Sequence, residues 1–235
     1  MSDNRPMSLQ FTIAFVLSFV CLATPAWSDY KAGKDAYDHG DYATALREWR
    51  PLAEQGNDSA QYFLGVCYAN GYGMPKNPEM ALHWYRLSSD QGNGFAQNDL
   101  GAMYQHGDGV LQDYEEAARL YRLGAKKGYV VAQSNLAAMY YYGRGVRQDV
   151  REAVRLTTLA AEQNFGLAQR MLGIMYTDGT GIPQDNVQAH KWLNLSAAQG
   201  DKDAGILREW LAEKMTPDQI AEAQKLAREW TPKDK

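Results

Sequence analysis

Cysteine, histidine and surplus positive charge are all scarce in this 235-residue chain, and each scarcity closes off a class of function. The only cysteines are Cys21 and Cys67; Cys21 falls in an apolar leader, so a mature monomer has no internal disulfide. The histidines His39, His83, His106 and His190 show no metal-ligand spacing. No His-Glu-x-x-His helix, Cys pair, lysine-bearing phosphate loop or Gly-x-Ser-x-Gly elbow is present. Ser28-Asp29-Tyr30-Lys31 matches Ser-x-x-Lys formally, but it straddles a predicted cleavage site and lacks companion motifs. A formal net charge of -4 gives no electrostatic reason to seek nucleic acid or an anionic membrane. The residues therefore predict neither a catalytic site nor a cofactor.

Long hydrophobic runs are also missing, with one exception. Leu9 to Ala23 is almost wholly apolar, yet short of the about 20 residues of a spanning helix. Ala26-Trp27-Ser28 supplies the small residues a signal peptidase prefers, which predicts cleavage after Ser28 and a periplasmic or secreted protein. Stable membrane insertion is not expected after that cleavage; a retained N-terminal anchor is the alternative. Val20, preceding Cys21, argues against a lipidated cysteine.

What the chain has in abundance is a repeating frame. Ala96, Leu100-Gly101, Tyr104, Gly107-Asp108-Gly109-Val110, Asp113 and Ala117 set the pattern. It recurs 36 residues earlier as Ala60, Leu64-Gly65, Tyr68, Gly71, Gly73, Asn77 and Ala81. It recurs 36 residues later as Ala132, Leu136-Ala137, Tyr140, Gly143-Arg144-Gly145-Val146, Asp149 and Ala153. A last full copy holds Ala168, Leu172-Gly173, Tyr176, Gly179, Gly181-Ile182, Asp185 and Ala189. Ungapped copies at such a period mark a stacked array. The division predicted is 1–28 signal peptide, 29–57 half-repeat, 58–93, 94–129, 130–165 and 166–201 full repeats, and 202–235 capping helices and tail.

Each copy reads as helix, Gly-x-Gly loop, helix. The first glycine of each loop falls just past a helix end, where left-handed backbone angles are needed. Asp113, Asp149 and Asp185, followed by Glu116, Glu152 and Gln188, predict capping boxes, whereas Asn77 with Met80 predicts a cap alone. Gly65, Gly101, Ala137 and Gly173 lie inside first helices and predict close helix crossings. Tyr68, Tyr104, Tyr140 and Tyr176, with Trp84, Leu120, Leu156 and Trp192, are expected to fill the core. The invariant Gln61, Gln97, Gln133 and Gln169 predict a structural role between repeats, and Cys67, in a slot otherwise Met, a buried apolar residue. Pro51 should bend or shorten its helix. Thr216-Pro217-Asp218-Gln219 opens a capping helix that closes the array, beyond which Thr231–Lys235 should fray.

This frame resembles the Sel-one-like repeat (SLR), a relative of the tetratricopeptide repeat. The resemblance implies an all-α, right-handed α-solenoid of 36-residue helix-turn-helix repeats with a C-terminal capping helix. It also implies a non-catalytic scaffold, with first helices lining a concave groove. On that implication three rows face the groove: Tyr62, Asn98, Ser134 and Arg170; Val66, Ala102, Ala138 and Ile174; and Gln105, His106, Tyr141, Tyr142 and Thr177 with their neighbours. The mixture suits an extended peptide or a polysaccharide better than a compact metabolite. The resemblance implies a protein partner or extended peptide, in envelope regulation or signalling. An alternative is a peptidoglycan or exopolysaccharide, which exposed, coplanar Tyr62, Tyr141 and Tyr142 would favour. A cysteine-rich branch of similar repeats is associated with penicillin binding and hydrolysis and carries a disulfide in each repeat; Cys67 has no partner, so this chain departs from it.

Overall fold

The computed structural model describes residues 26–233, and among them every regular element is an α-helix. The helices come in pairs: α1 (Ala26–Asp38) with α2 (Tyr42–Glu54), α3 (Asp58–Asn70) with α4 (Pro78–Asp90), and α5 (Gly94–His106) with α6 (Tyr114–Lys126). They continue as α7 (Val130–Tyr142) with α8 (Val150–Glu162), and α9 (Gly166–Asp178) with α10 (Asn186–Ala198). The array ends in α11 (Lys202–Ala212) and α12 (Pro217–Glu229). From α1 to α11 each helix packs on its neighbours in the chain, and α12 turns back onto α10. The apolar leader lies outside the described residues, and α1 begins at Ala26, just before the expected cleavage point. No helix among the described residues is long and apolar enough to cross a membrane.

The core follows the repeat register. Ala60, Ala96, Ala132, Ala168 and Ala204 are buried on the first helices, and Ala81, Ala117, Ala153 and Ala189 on the second. Leu64, Leu100, Leu136 and Leu172 fill the space between them. A Cβ added at Gly101 would stand 2.9 Å from Tyr121 Cε1, so the glycine lets the ring lie flat on the helix. Gly65 admits Tyr85 in the same way, and Gly173 admits Leu193. The Tyr68 series, expected to fill the core, is half-buried and packs against the edges of the core clusters. The column that covers the small residues is instead Tyr85, Tyr121, Thr157 and Leu193, 36 residues apart and all buried.

Gln61, Gln97 and Gln169 bind each repeat to the one before, with Gln97 Nε2 donating to Ser89 O at 3.4 Å. Gln61 Nε2 donates to Ala53 O at 3.0 Å, and Gln169 Nε2 donates to Ala161 O at 3.2 Å. Gln91, Gln163 and Gln199 then donate to the side-chain oxygens of Gln61, Gln133 and Gln169. Lys127 occupies the donor's register position in the remaining copy, and there the buried Gln97 Oε1 has no hydrogen-bond partner among the protein atoms.

Three expectations about helix ends need correction. Asp113 and Asp149 accept from the N–H groups of Glu116 and Glu152, but the reciprocal arm of the box is not formed. The backbone N–H of each Asp already donates to a tyrosine carbonyl, Tyr104 O at 2.9 Å and Tyr140 O at 3.0 Å. With no orphan donor left, Glu116 and Glu152 turn to Arg119 and Arg155 instead, both at 2.7 Å. The complete capping box is at α12, between Thr216 and Gln219. The tail does not fray through Lys233, whose N–H donates to Glu162 O at 2.9 Å and whose Nζ meets the Glu162 carboxylate at 2.6 Å. Pro51 leaves α2 unbroken to Glu54, because the carbonyl it deprives of a donor belongs to the exposed Arg47.

The second glycine of each loop has its own task. At Gly145 (φ +67°) an added Cβ would overlap the Tyr114 backbone at the start of α6, so the loop of one repeat rests on the helix start of the one before.

Candidate functional site

The face carried by the first helices changes character along the array. In its N-terminal half, the Tyr62 ring is packed against Phe63, Tyr85 and Phe95, with centroids 5.1, 5.9 and 5.6 Å away. Burial pushes its phenol above the ordinary value of 10.0. Asn98 is only 6% exposed; its Nδ2 donates to Asp99 Oδ1 at 2.9 Å and its Oδ1 accepts from Asn135 Nδ2 at 2.9 Å. Asp99 sits in the seam between α3 and α5. Burial holds its carboxyl above the usual carboxylate range, partly offset by Asn98 and by the hydroxyls of Tyr62 and Tyr85 beside it. Tyr62 and Asn98 therefore close this half rather than offer themselves to a ligand. Gln105 accepts from the Tyr121 hydroxyl at 3.1 Å, which leaves His106 as the exposed member of that pair.

The C-terminal half is open. Ser134, Tyr141, Tyr142 and Arg170 line one cleft of about 280 Å³ between α7 and α9, together with Thr157, Leu167 and Met171. Ile174 is shared with an adjoining cleft of about 360 Å³, lined by Thr177, Leu193, Ile206 and Trp210. The local cause is truncation in register. Ser134 replaces Tyr62, and Thr157 replaces Tyr85 and Tyr121, so the rings that fill the earlier seams are missing here. Ala137 can then replace Gly101, because no ring lies over it.

The polar members of this cleft are less free than their residue types suggest. Arg170 Nε pairs with Asp201 Oδ2 at 2.9 Å and its Nη1 pairs with Asp203 Oδ2 at 2.9 Å, so its charge ties α9 to the start of α11. Thr177 Oγ1 donates back to Gly173 O at 2.9 Å. Tyr141 and Tyr142 meet edge to face, their rings 84° apart, and the Arg144 guanidinium lies 5.1 Å from the Tyr142 centroid. These two tyrosines do not form a coplanar platform with each other.

Sequence reasoning missed the apolar part of the site. Leu167, Met171, Ile206 and Trp210 are 55%, 39%, 65% and 45% exposed, an unusual display on a helical array with ample core. The signal was present: Ile206 continues the row of Tyr62, Asn98, Ser134 and Arg170 by one more repeat, and Trp210 continues that of Ile174. Burial pushes the Cys67 thiol up to about 11, which makes it inert, and no cluster of His, Cys, Asp and Glu suited to a metal ion occurs among the described residues.

Comparison with known proteins gives the array its place. Residues 58–93, 94–129, 130–165 and 166–201 each match the Sel1 repeat model. Among solved structures, the chain is similar to c5321, a protective antigen of uropathogenic Escherichia coli strains with an SLR fold. The identity is 32% and the TM-score 0.80, over 88% of this chain and 45% of that one. It is also 32% identical to a Sel1 repeat protein from Oxalobacter formigenes, with a TM-score of 0.66 over 73% and 49% of the two chains. The chain thus spans about half the length of these two relatives. An immunity protein, Pa5087 of Pseudomonas aeruginosa, shares the fold at 21% identity and a TM-score of 0.53, over 87% of this chain and 79% of that one. No curated protein matches the chain. Four consecutive matching repeats occupy more than half of the sequence, and the chain belongs to the Sel1 repeat family.

Proposed function

We propose that the protein is an exported, periplasmic scaffold that binds an extended segment of a partner protein along the clefts between α7, α9 and α11, in envelope regulation or signalling. The observation that carries this reading is the exposed series Tyr142, Leu167, Met171, Ile206 and Trp210. Aliphatic and aromatic side chains of a partner strand or helix would remove that surface from water, at roughly 25 cal/mol per Å² before ordering costs. Polar contacts come from Ser134 and Tyr141 at one end and from Thr177 and Asp178 at the other. The upright, non-coplanar Tyr141 and Tyr142 suit a polypeptide better than the flat face of a sugar. The apolar leader with its small-residue cleavage site, and the similarity to a protective antigen, support export.

The test is photo-crosslinking in intact cells from a photoreactive residue placed at Leu167 or Ile206, with Leu111 as the control. Leu111 is 89% exposed and lies in a loop outside the clefts. The reading predicts one protein partner captured from 167 and 206 and not from 111. Equal capture from all three positions, or none from the clefts, would reject it. Cell fractionation of the same strains checks the location: a mature, shortened chain in the periplasmic fraction is expected.

A further inference from the structure

The last, incomplete repeat breaks the frame at one place, and the breaks converge in space. Arg208 on α11 occupies the register of Leu64, Leu100, Leu136 and Leu172, which are all buried core leucines. Glu209 occupies the register of the small Gly173, and Ala212 that of Tyr176. On α10, His190 stands where Ala118 and Val154 are buried in earlier repeats. The result is a polar cleft of about 450 Å³ beside α12, lined by His190, Asn194, Arg208, Glu209, Gln224 and Arg228.

Solvent exposure at the end of an array accounts for polar residues on an outer face, and Arg228 and Gln224 fit that account alone. His190 does not fit it. It is 3% exposed, and its Nδ1 is buried with no hydrogen-bond partner among the protein atoms although the residue lines the cleft. Burying a polar nitrogen without a partner is costly, so the placement of this imidazole at the cleft needs an account of its own. Arg208 is placed as a binding residue is: Nη1 donates to Asn194 Oδ1 at 2.9 Å, while Nη2 stands 3.7 Å from Glu209 Oε1, beyond hydrogen-bond distance. The cleft thus carries two guanidinium groups against one carboxylate.

We propose that the cleft between α10, α11 and α12 is an oxyanion site, in which a carboxylate or phosphate group lies between Arg208 and Arg228, against the wall formed by the His190 imidazole. Planar guanidinium groups favour this class of ligand because they can donate two parallel hydrogen bonds to its oxygens. Burial, reinforced by the nearby Arg208, pushes the His190 imidazole below its ordinary value of 6.5.

The experiment follows the His190 imidazole resonances of the intact protein by NMR at fixed pH. Sodium phosphate and sodium acetate are titrated separately against sodium chloride at matched ionic strength. A saturable shift with either oxyanion, absent with chloride, is expected; phosphate alone would identify a phosphoryl ligand and acetate alone a carboxylate. Arg208→Leu, which restores the repeat's own residue and so should fold, is expected to weaken the response about tenfold or more. Arg228→Gln, at an exposed position, should weaken it to a smaller degree. A response no different from chloride, or one that survives in the Arg208→Leu, Arg228→Gln double variant, would overturn the assignment.

Discussion

The two halves of the first-helix face share one backbone frame and present opposite surfaces. Between α3 and α5, Tyr62, Tyr85 and Phe95 fill the seam with rings and leave Asp99 enclosed beneath them. Between α7 and α9, Ser134 and Thr157 stand at the registers of Tyr62 and Tyr85, and a cleft opens with Leu167 and Met171 on its wall. The lesson is that a repeat array separates its stability from the surface it displays. Alanines, leucines and glutamines at fixed registers hold the stack, and a few side chains at free registers decide which seams are closed.

The largest effect should come from forcing the closed half apart. Gly101→Trp places an indole where Tyr121 already lies against the helix, with no room for even a methyl group. Overpacking of this kind costs about 3 kcal/mol or more, and loss of helical circular dichroism at ambient temperature is the expected outcome. An unchanged melting temperature would mean that the crossing can open without penalty.

The second experiment exchanges the halves. Ala137→Gly with Thr157→Tyr transplants the Gly101–Tyr121 pair into the open seam, so the ring should fill the cleft and leave the fold intact. Partner crosslinking from Leu167 should fall about tenfold, as expected when a central contact region is occluded, while the melting temperature holds. Tyr141→Ala with Tyr142→Ala approaches the same cleft from its rim and should weaken binding less, with helix content preserved. Undiminished crosslinking in the transplanted variant would move the binding surface elsewhere on the array.

A smaller effect separates the two arms of the helix caps. Asp113→Ala removes the acceptor for the N–H groups of Glu115 and Glu116 and should cost about 1 kcal/mol. Glu116→Ala removes only the exposed pair with Arg119, for which about 0.3 kcal/mol is expected. Thermal melts of the two variants side by side check the ratio; equal losses would show that the box closes in solution.

The fold was legible because it is written four times. Helix, loop and cap recur at fixed intervals, so Ala, Leu and Gly at matching registers identify the packed face without any structure. The site was legible in part. Register places Ser134, Tyr141, Tyr142, Arg170 and Thr177 along the two clefts, but it says nothing about what a side chain does once there. Arg170 is spent on Asp201 and on Asp203 of the following helix, and Asn98 on its neighbour Asp99 and on Asn135 of the next repeat. The Asp203 and Asn135 contacts cross from one repeat to the next, which a pattern read within one repeat does not reveal. The boxes expected at Asp113 and Asp149 failed for a different reason: the N–H they were meant to satisfy is taken by a tyrosine carbonyl earlier in the same repeat.

The smallest effect tests whether the closed half is enclosed enough to matter to a charge. Burial raises the Asp99 carboxyl above its ordinary value of 3.8, so the native chain takes up that proton more readily than the unfolded chain does. Ionised Asp99 therefore weakens the fold at pH values above its native pKa, and the wild type recovers that stability as pH falls from the native value towards 3.8. Asp99→Asn keeps the shape and cannot ionise; the next repeat already carries Asn135 at this register. Its melting temperature should exceed that of the wild type at pH 7, and the gap should close on acidification towards the ordinary carboxylate value. The equivalent exchange in the open half, Asn135→Asp, should introduce a penalty of the same sign but smaller, since fewer rings surround that position. If Asp99→Asn melts below the wild type at pH 7, the hydrogen bonds from Asn98, Tyr62 and Tyr85 outweigh the cost of burying the charge, and the seam is held by its polar core as much as by its rings.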